Sequence, residues 1–84
     1  MIVSVLGLGY IGLPTAAVLA SRDIMVVGAD VNQDVVDTIN QGKIHIIEPE
    51  LDILVRNAVH SGYLRATTKP EKANVFLIAV PTPF

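Results

Sequence analysis

The chain has 84 residues, a formal net charge of −2 and no cysteine, and hydrophobic residues make up 51% of it. This length suits one small domain, and its apolar runs are far shorter than the roughly 20 residues that cross a bilayer. The six Lys and Arg residues are scattered, which argues against nucleic acid as a partner. The absence of cysteine excludes disulfides, and the N-terminus has no basic region of the kind that begins a signal peptide. We therefore expect a cytoplasmic protein without membrane contact.

The first predicted element is a buried strand, Ile2–Leu6, that runs into a glycine-rich turn. Gly7, Gly9 and Gly12 have the spacing G-x-G-x-x-G, and a helix is predicted over about Tyr10–Ser21. In this pattern the first glycine makes the turn, the second lets a pyrophosphate approach the backbone, and the third lets the helix pack close to the strand. The free N–H groups at the start of such a helix attract phosphate, so the stretch predicts a dinucleotide site.

The second predicted strand, about Ile24–Gly28, is followed by an acidic residue, Asp30. A carboxylate at this position accepts hydrogen bonds from the hydroxyls of the adenosine ribose, and it repels the additional phosphate of NADP. The next four residues, 31–34, include no Arg or Lys to bind that phosphate. The sequence therefore predicts NAD as the cofactor.

Two further helices are indicated by their end signals. Asn32 is the expected N-cap of the second helix, and Gly42 the residue that ends it. After an extended connection, Pro49 is expected to open the third helix at its first position, and Gly62 to end it.

Two strands complete the predicted order of elements, Leu64–Thr67 and Val75–Val80. Between them, Thr68–Glu71 has the form of a capping box, which predicts a short helix over Pro70–Ala73. The alternation of strands and helices predicts an α/β fold: a partial Rossmann-type, doubly wound parallel sheet of four strands in the order 3-2-1-4, with helices on both faces. The outer edge of the fourth strand would be unpaired, so we expect self-association through it.

The ligand crevice of such a sheet lies at the carboxyl ends of the first and fourth strands. The glycine turn opens onto this crevice, and so does the segment after the fourth strand, where Thr82 is expected near the nicotinamide half of the cofactor. His45 and His60 are the other candidate acid–base groups, for which packing and surface roles are the simpler interpretation. The acids at the start of the third helix are explained by the helix dipole, and no spacing of metal ligands is present.

Five segments in order resemble the N-terminus of the nucleotide-sugar 6-dehydrogenases, that is, the UDP-glucose and UDP-N-acetyl-D-mannosamine dehydrogenases. These segments are Gly7–Pro14, Asp30–Asn32, Ile39–Gly42, Glu48–Leu51 and Val80–Phe84. The run from Lys43 to Pro49 is most similar to the UDP-N-acetyl-D-mannosamine members of surface-polysaccharide synthesis. The resemblance implies an NAD-dependent oxidoreductase that oxidises the C6 hydroxyl of a sugar to a carboxylate through a cysteine thiohemiacetal.

By this resemblance, the positions that contact NAD are Tyr10, Ile11, Asp30 and Thr82, with Gly7, Gly9 and Gly12 in the turn. The catalytic Cys and Lys of the family and its UDP-sugar site lie far downstream of the matched region. We therefore expect residues 1–84 to be a truncated N-terminal NAD-binding domain without catalytic residues, which lacks the central and C-terminal UDP-binding domains and is inactive alone.

Two alternatives remain open. One is a non-catalytic fragment that binds adenine nucleotide weakly or only folds. The other is a different dehydrogenase with the same front end, such as a 6-phosphogluconate-type enzyme; Glu48-Pro49 and the ending Pro81-Thr82-Pro83 argue against it through the resemblance alone.

Overall fold

A computed structural model describes residues 1–79, and this part of the chain forms four strands and three helices. The elements are β1 (Ile2–Leu6), α1 (Gly12–Ser21), β2 (Met25–Ala29), α2 (Gln33–Asn40), α3 (Leu51–His60), β3 (Leu64–Thr67) and β4 (Val75–Ile78). All strand pairs are parallel, and the order across the sheet is β3-β2-β1-β4. The predicted fold class and strand order are therefore confirmed.

The register of the strands separates the two faces of the sheet. Val3 of β1 lies beside Val26 of β2, which in turn lies beside Leu64 of β3. These three side chains are buried in one core, and residues two positions further along each strand face the same way because side chains alternate across a strand. The other face carries Ser4, Val27 and their neighbours.

All three helices pack on the first face. α1 and α2 both contact α3, and α1 also lies against β2. The buried helical side chains are Leu13, Ala16, Ala17 and Ala20 of α1, Val36 and Ile39 of α2, and Leu51, Val55 and Ala58 of α3. Because three of the four in α1 are alanines, this helix can approach the sheet closely. No helix within residues 1–79 has the length and apolarity needed to span a membrane.

The second face is crossed by a segment without helix or strand, residues 68–74, which we call the crossover segment. The short helix predicted for Pro70–Ala73 does not form, so within residues 1–79 helices cover only one of the two faces. The reason is visible in the hydrogen bonds: the carboxylate of Glu71, which a capping box requires at Thr68, is instead held by Arg65. The hydroxyl of Thr67 accepts the N–H of Lys69.

The ends of the elements follow local signals with two differences. The side chain of Asn32 caps α2, and Gly42 and Gly62 follow α2 and α3 with positive φ, as predicted. α3 begins at Leu51 rather than at Pro49, because Glu50 before it has a left-handed backbone at φ 65°. Smaller differences are that α1 begins at residue 12 and β2 spans residues 25–29; the predicted end of the fourth strand, residue 80, lies outside the described residues.

Candidate functional site

The glycine turn between β1 and α1 has the backbone that its spacing predicts. Gly7 leaves the strand at φ 98°, a conformation that favours glycine, and its N–H donates to the carbonyl oxygen of Ala29 at 2.7 Å. A Cβ on Gly12 would lie 1.7 Å from the carbonyl oxygen of Gly7. The start of α1 therefore presses directly on the turn, and only glycine fits there.

The outer side of the turn presents open space and free donors. A Cβ on Gly9 would meet no atom of residues 1–79 within 4 Å, so this part of the chain leaves the backbone open to a ligand. Within residues 1–79, no acceptor pairs with the N–H groups of Gly9, Tyr10, Ile11 and Gly12, whereas the N–H of Leu13 donates to the carbonyl of Gly9. Because α1 has neither a side-chain cap nor an acid in its first turn, its N-terminus is available to an anion.

Asp30 lies immediately after β2 with its carboxylate directed at the turn. One carboxylate oxygen, Oδ2, accepts the N–H of Leu8 at 3.0 Å, and Oδ1 accepts the N–H of Asn32 at 3.0 Å. The backbone N–H of Asp30 donates to the carbonyl of Thr67 at the end of β3. Each carboxylate oxygen can accept more than one hydrogen bond, so the half-buried group is fixed in orientation and still able to bind a hydroxyl.

The turn and Asp30 share one cleft of about 810 Å³ at the carboxyl ends of the strands. This volume is within the range of small-molecule and cofactor sites. Five of the seven predicted site residues line the cleft: Gly7, Gly9, Tyr10, Ile11 and Asp30. Gly12 lies beneath the turn and supports it. Thr82, the seventh, lies outside the described residues.

Sequence reasoning missed several residues of the cleft wall. Val31 follows Asp30 and is 95% exposed, a position at which an apolar ring system can rest. Thr68 and Pro70 come from the crossover segment, and Ile78 and the residue after it come from the end of β4. The signal for Thr68 was present in the predicted strand order, because the order 3-2-1-4 places the end of β3 beside the end of β2.

The chemistry of the cleft is that of a binding site. Asp30 carries the only full charge among the described residues that line it. The arrangement can hold an anion at the turn, a pair of hydroxyls at Asp30, and apolar rings against exposed side chains such as Ile11, which is 73% exposed. His45 and His60 are absent from the described wall, and within residues 1–79 no three His, Cys, Asp or Glu side chains are grouped to hold a metal ion.

Comparison with known proteins gives a family match over the whole chain. Residues 1–84 match the model of the UDP-glucose/GDP-mannose dehydrogenase family, NAD binding domain. The NDP-N-acetyl-D-galactosaminuronic acid dehydrogenase of Ralstonia nicotianae is 73% identical over 82 residues, which are 98% of this chain and 19% of that protein. The UDP-N-acetyl-D-mannosamine dehydrogenase of Campylobacter jejuni is 68% identical, over 98% of this chain and 20% of that protein. The chain thus spans about a fifth of the length of these relatives.

Solved structures agree with the sequence match. The UDP-N-acetyl-mannosamine dehydrogenase of Staphylococcus aureus superposes with a TM-score of 0.95 at 44% identity, over 99% of this chain and 20% of that one. A ternary complex of the GDP-mannose dehydrogenase of Pseudomonas aeruginosa gives a TM-score of 0.94 at 39% identity, with the same coverage.

Proposed function

This chain belongs to the UDP-glucose/GDP-mannose dehydrogenase family, whose NAD-binding domain it matches, and we propose that its cleft binds NAD across the glycine turn. The pyrophosphate would lie over Gly9 and accept hydrogen bonds from the free N–H groups there. The hydroxyls of the adenosine ribose would donate hydrogen bonds to the carboxylate of Asp30. Tyr10 and Ile11 would flank the cofactor at the mouth of the cleft. The observation that carries the proposal is one cleft that holds both the turn and the carboxylate.

The charge of the wall explains why the cofactor is NAD rather than NADP. Asp30 is the site for the 2′-hydroxyl of the ribose, and a 2′-phosphate there would face a carboxylate. No cationic side chain among the described lining residues offsets that repulsion. Thr82 is proposed, on the family resemblance alone, to contact the nicotinamide half.

Titration calorimetry of the chain with NAD and NADP tests this proposal. We expect NAD to bind with a dissociation constant in the high micromolar to millimolar range, about −4 to −6 kcal/mol, because most of the contacts that the chain offers are to the adenosine and the pyrophosphate. NADP is expected to bind at least about 10-fold more weakly, a difference of 1.4 kcal/mol. The variant Gly9→Ala, whose methyl would project into the cleft, is expected to lose at least about 10-fold for NAD.

The control for that experiment is Ile53→Ala, an exposed change on α3 that lies outside the described wall of the cleft. It should bind NAD as the unaltered chain does. Equal affinity for NAD and NADP, or unchanged NAD affinity in Gly9→Ala, would contradict the proposed binding mode.

We propose further that the chain is the N-terminal part of a longer enzyme that oxidises the C6 hydroxyl of a UDP-N-acetylmannosamine-type nucleotide sugar. The support is the identity to relatives five times longer and the absence of cysteine from this sequence, since the covalent family mechanism needs a thiol. A non-catalytic fragment is the competing proposal. NADH formation from UDP-N-acetylmannosamine by the longer protein, and none by the 84-residue chain, would support the first; turnover by the chain alone would contradict both.

We propose a cytoplasmic location for the chain, because NAD and nucleotide sugars are available in the cytoplasm. Cell fractionation provides the test, and recovery of the protein outside the cytoplasmic fraction would contradict it.

We also propose that the 84-residue chain associates through β4. The side chains of this strand are between 36% and 73% exposed, and β4 pairs on only one edge with a described strand, β1. An exposed apolar edge of this kind invites another strand to pair with it. Light scattering is expected to show an apparent molecular mass that increases with protein concentration. The variant Phe76→Lys, which puts a charge on the strand, is expected to reduce that increase. A clean monomer at high concentration would rule out this contact.

A further inference from the structure

The crossover segment begins in the wall of the NAD cleft. Thr68 and Pro70 line the same cleft as Asp30. The carbonyl of Thr67 accepts the N–H of Asp30 at 3.0 Å, so the start of the segment is connected to the residue proposed to hold the ribose. The segment has no helix and no ladder of its own between β3 and β4, and its conformation therefore depends on a few side-chain contacts.

Two side-chain contacts hold the start of the segment: the hydroxyl of Thr67 accepts the N–H of Lys69 at 3.3 Å, and Arg65 pairs with Glu71. Nη1 of Arg65 donates to Oε2 of Glu71 at 2.8 Å, and Nη2 donates to Oε1, so the two planar groups meet in a bidentate arrangement. These hydrogen bonds raise the pKa of Arg65 and lower the pKa of Glu71. Within residues 1–79 it is the only ion pair, and it brackets Thr68 and Pro70.

The other anchor is at the far end of the segment. The side chain of Asn74 accepts the N–H of Ile2 at 2.7 Å, and its backbone N–H donates to the carbonyl of Ile2 at 2.8 Å. This anchor fixes the entry to β4 at the opposite end of the strands from the cleft. Near the cleft, the Arg65–Glu71 pair is the charged contact that spans Thr68 and Pro70, beside the hydrogen bond between Thr67 and Lys69.

We propose that Arg65 and Glu71 are positioning residues for the adenosine half of the cofactor, which they serve by holding Thr68 and Pro70 against the cleft. The proposal rests on the proposed binding of NAD in this cleft. Neither charged group lines the cleft, and both act through the backbone between them. The wall they hold stands at the ends of β2 and β3, which is the Asp30 side of the cleft and the side away from β4.

The test is titration of the chain with NAD and with AMP, followed by NMR chemical shifts, for the variants Arg65→Gln and Glu71→Gln. Each variant is expected to bind both ligands about three-fold more weakly, a modest factor because both side chains of the pair are about half exposed. The two variants change the net charge in opposite directions. A general effect of charge on an anionic ligand would weaken binding in Arg65→Gln and strengthen it in Glu71→Gln, whereas loss of positioning weakens both.

The exchanged double variant, Arg65→Glu with Glu71→Arg, restores an ion pair of the same two groups and is expected to return the affinity to within about two-fold of the unaltered chain. Arg56→Gln, an exposed cation of α3 outside the described wall, is the control and should leave both affinities unchanged. Thermal unfolding of each variant is measured in parallel, so that affinity is compared between folded proteins.

The outcomes separate the two proposals. If the unaltered chain binds neither NAD nor AMP, the proposed function fails and this inference fails with it. If the unaltered chain binds them and the single variants bind equally well, or change in opposite directions, only the inference is overturned. A lower unfolding temperature with unchanged affinity would show a merely structural ion pair and would also overturn it.

Discussion

Replacing Gly12 with alanine is expected to lower the free energy of unfolding by at least about 3 kcal/mol, as overpacking against a rigid neighbour does at its most severe. The new methyl would lie 1.7 Å from the carbonyl oxygen of Gly7 and 2.8 Å from its carbonyl carbon. Both are backbone atoms of the turn, so no flexible side chain can move to make room. α1 would have to shift away from β1, and its buried face would separate from the sheet. Chemical denaturation of the two proteins measures the difference.

The size of this effect matters because small domains are marginally stable. At roughly 0.05–0.15 kcal/mol per residue, a chain of this length has only about 4–13 kcal/mol in total. Gly9→Ala is the matched control, since it is the same substitution in the same turn, and no atom of the described part of the chain lies within 4 Å of the new Cβ. It should remain within about 1 kcal/mol of the unaltered chain. Equal stability of Gly12→Ala and Gly9→Ala would contradict the close packing of the helix α1 on the turn.

The glycines also show how far the sequence alone could go. The spacing was enough to predict the turn at Gly7 and the close approach at Gly12, because both are consequences of local geometry. Gly28 was missed, although a Cβ there would lie 2.7 Å from Cδ2 of Leu8. That requirement comes from a side chain 20 positions away, which only the pairing of β1 with β2 brings above it. A local sequence pattern cannot predict such a contact.

The crossover segment shows the opposite case, in which a local signal was present and a tertiary contact overrode it. Thr68 and Glu71 have the spacing of a capping box, but an arginine on the neighbouring strand offers Glu71 two charged hydrogen bonds. Two bonds from a guanidinium are stronger than the single backbone N–H that Glu71 would accept in a capping box. The segment therefore forms no helix, and Thr68 is part of the cleft wall rather than a helix cap.

Glu50 is a second position at which local signals were incomplete. Pro49 before a run of helix-forming residues is a reasonable first helical position, yet the helix starts only after Glu50 has turned to φ 65°. A left-handed conformation costs a residue with a Cβ on the order of 1 kcal/mol, and nothing in the side chain of glutamate favours it. Propensity alone therefore does not identify the site of this turn.

The carboxylate at position 30 is the second group whose removal has a large expected effect. Asp30→Ala is expected to weaken NAD binding by about 10- to 100-fold, since a hydrogen bond to a charged group contributes about 1.5–3 kcal/mol. NADP affinity should fall less or rise, because the repulsion of the 2′-phosphate disappears with the charge. The variant thus reverses part of the cofactor preference, which general damage to the cleft would not do. Calorimetric titration with NAD and with NADP provides the ratio of the two dissociation constants.

The structural role of Asp30 determines how that experiment is controlled. Alanine leaves the N–H groups of Leu8 and Asn32 without their acceptor. Leu8 is buried, and an unpaired buried N–H costs about 1–3 kcal/mol, so folding must be checked by denaturation. Asp30→Asn removes the charge and keeps one of the two hydrogen-bond acceptors that alanine loses, so it disturbs the turn less than alanine does. Asp37→Asn removes the same charge from the exposed surface of α2 and should leave both cofactor affinities unchanged. If the ratio of NAD to NADP affinity in Asp30→Asn equals that in Asp37→Asn, the carboxylate of Asp30 is not the group that selects NAD.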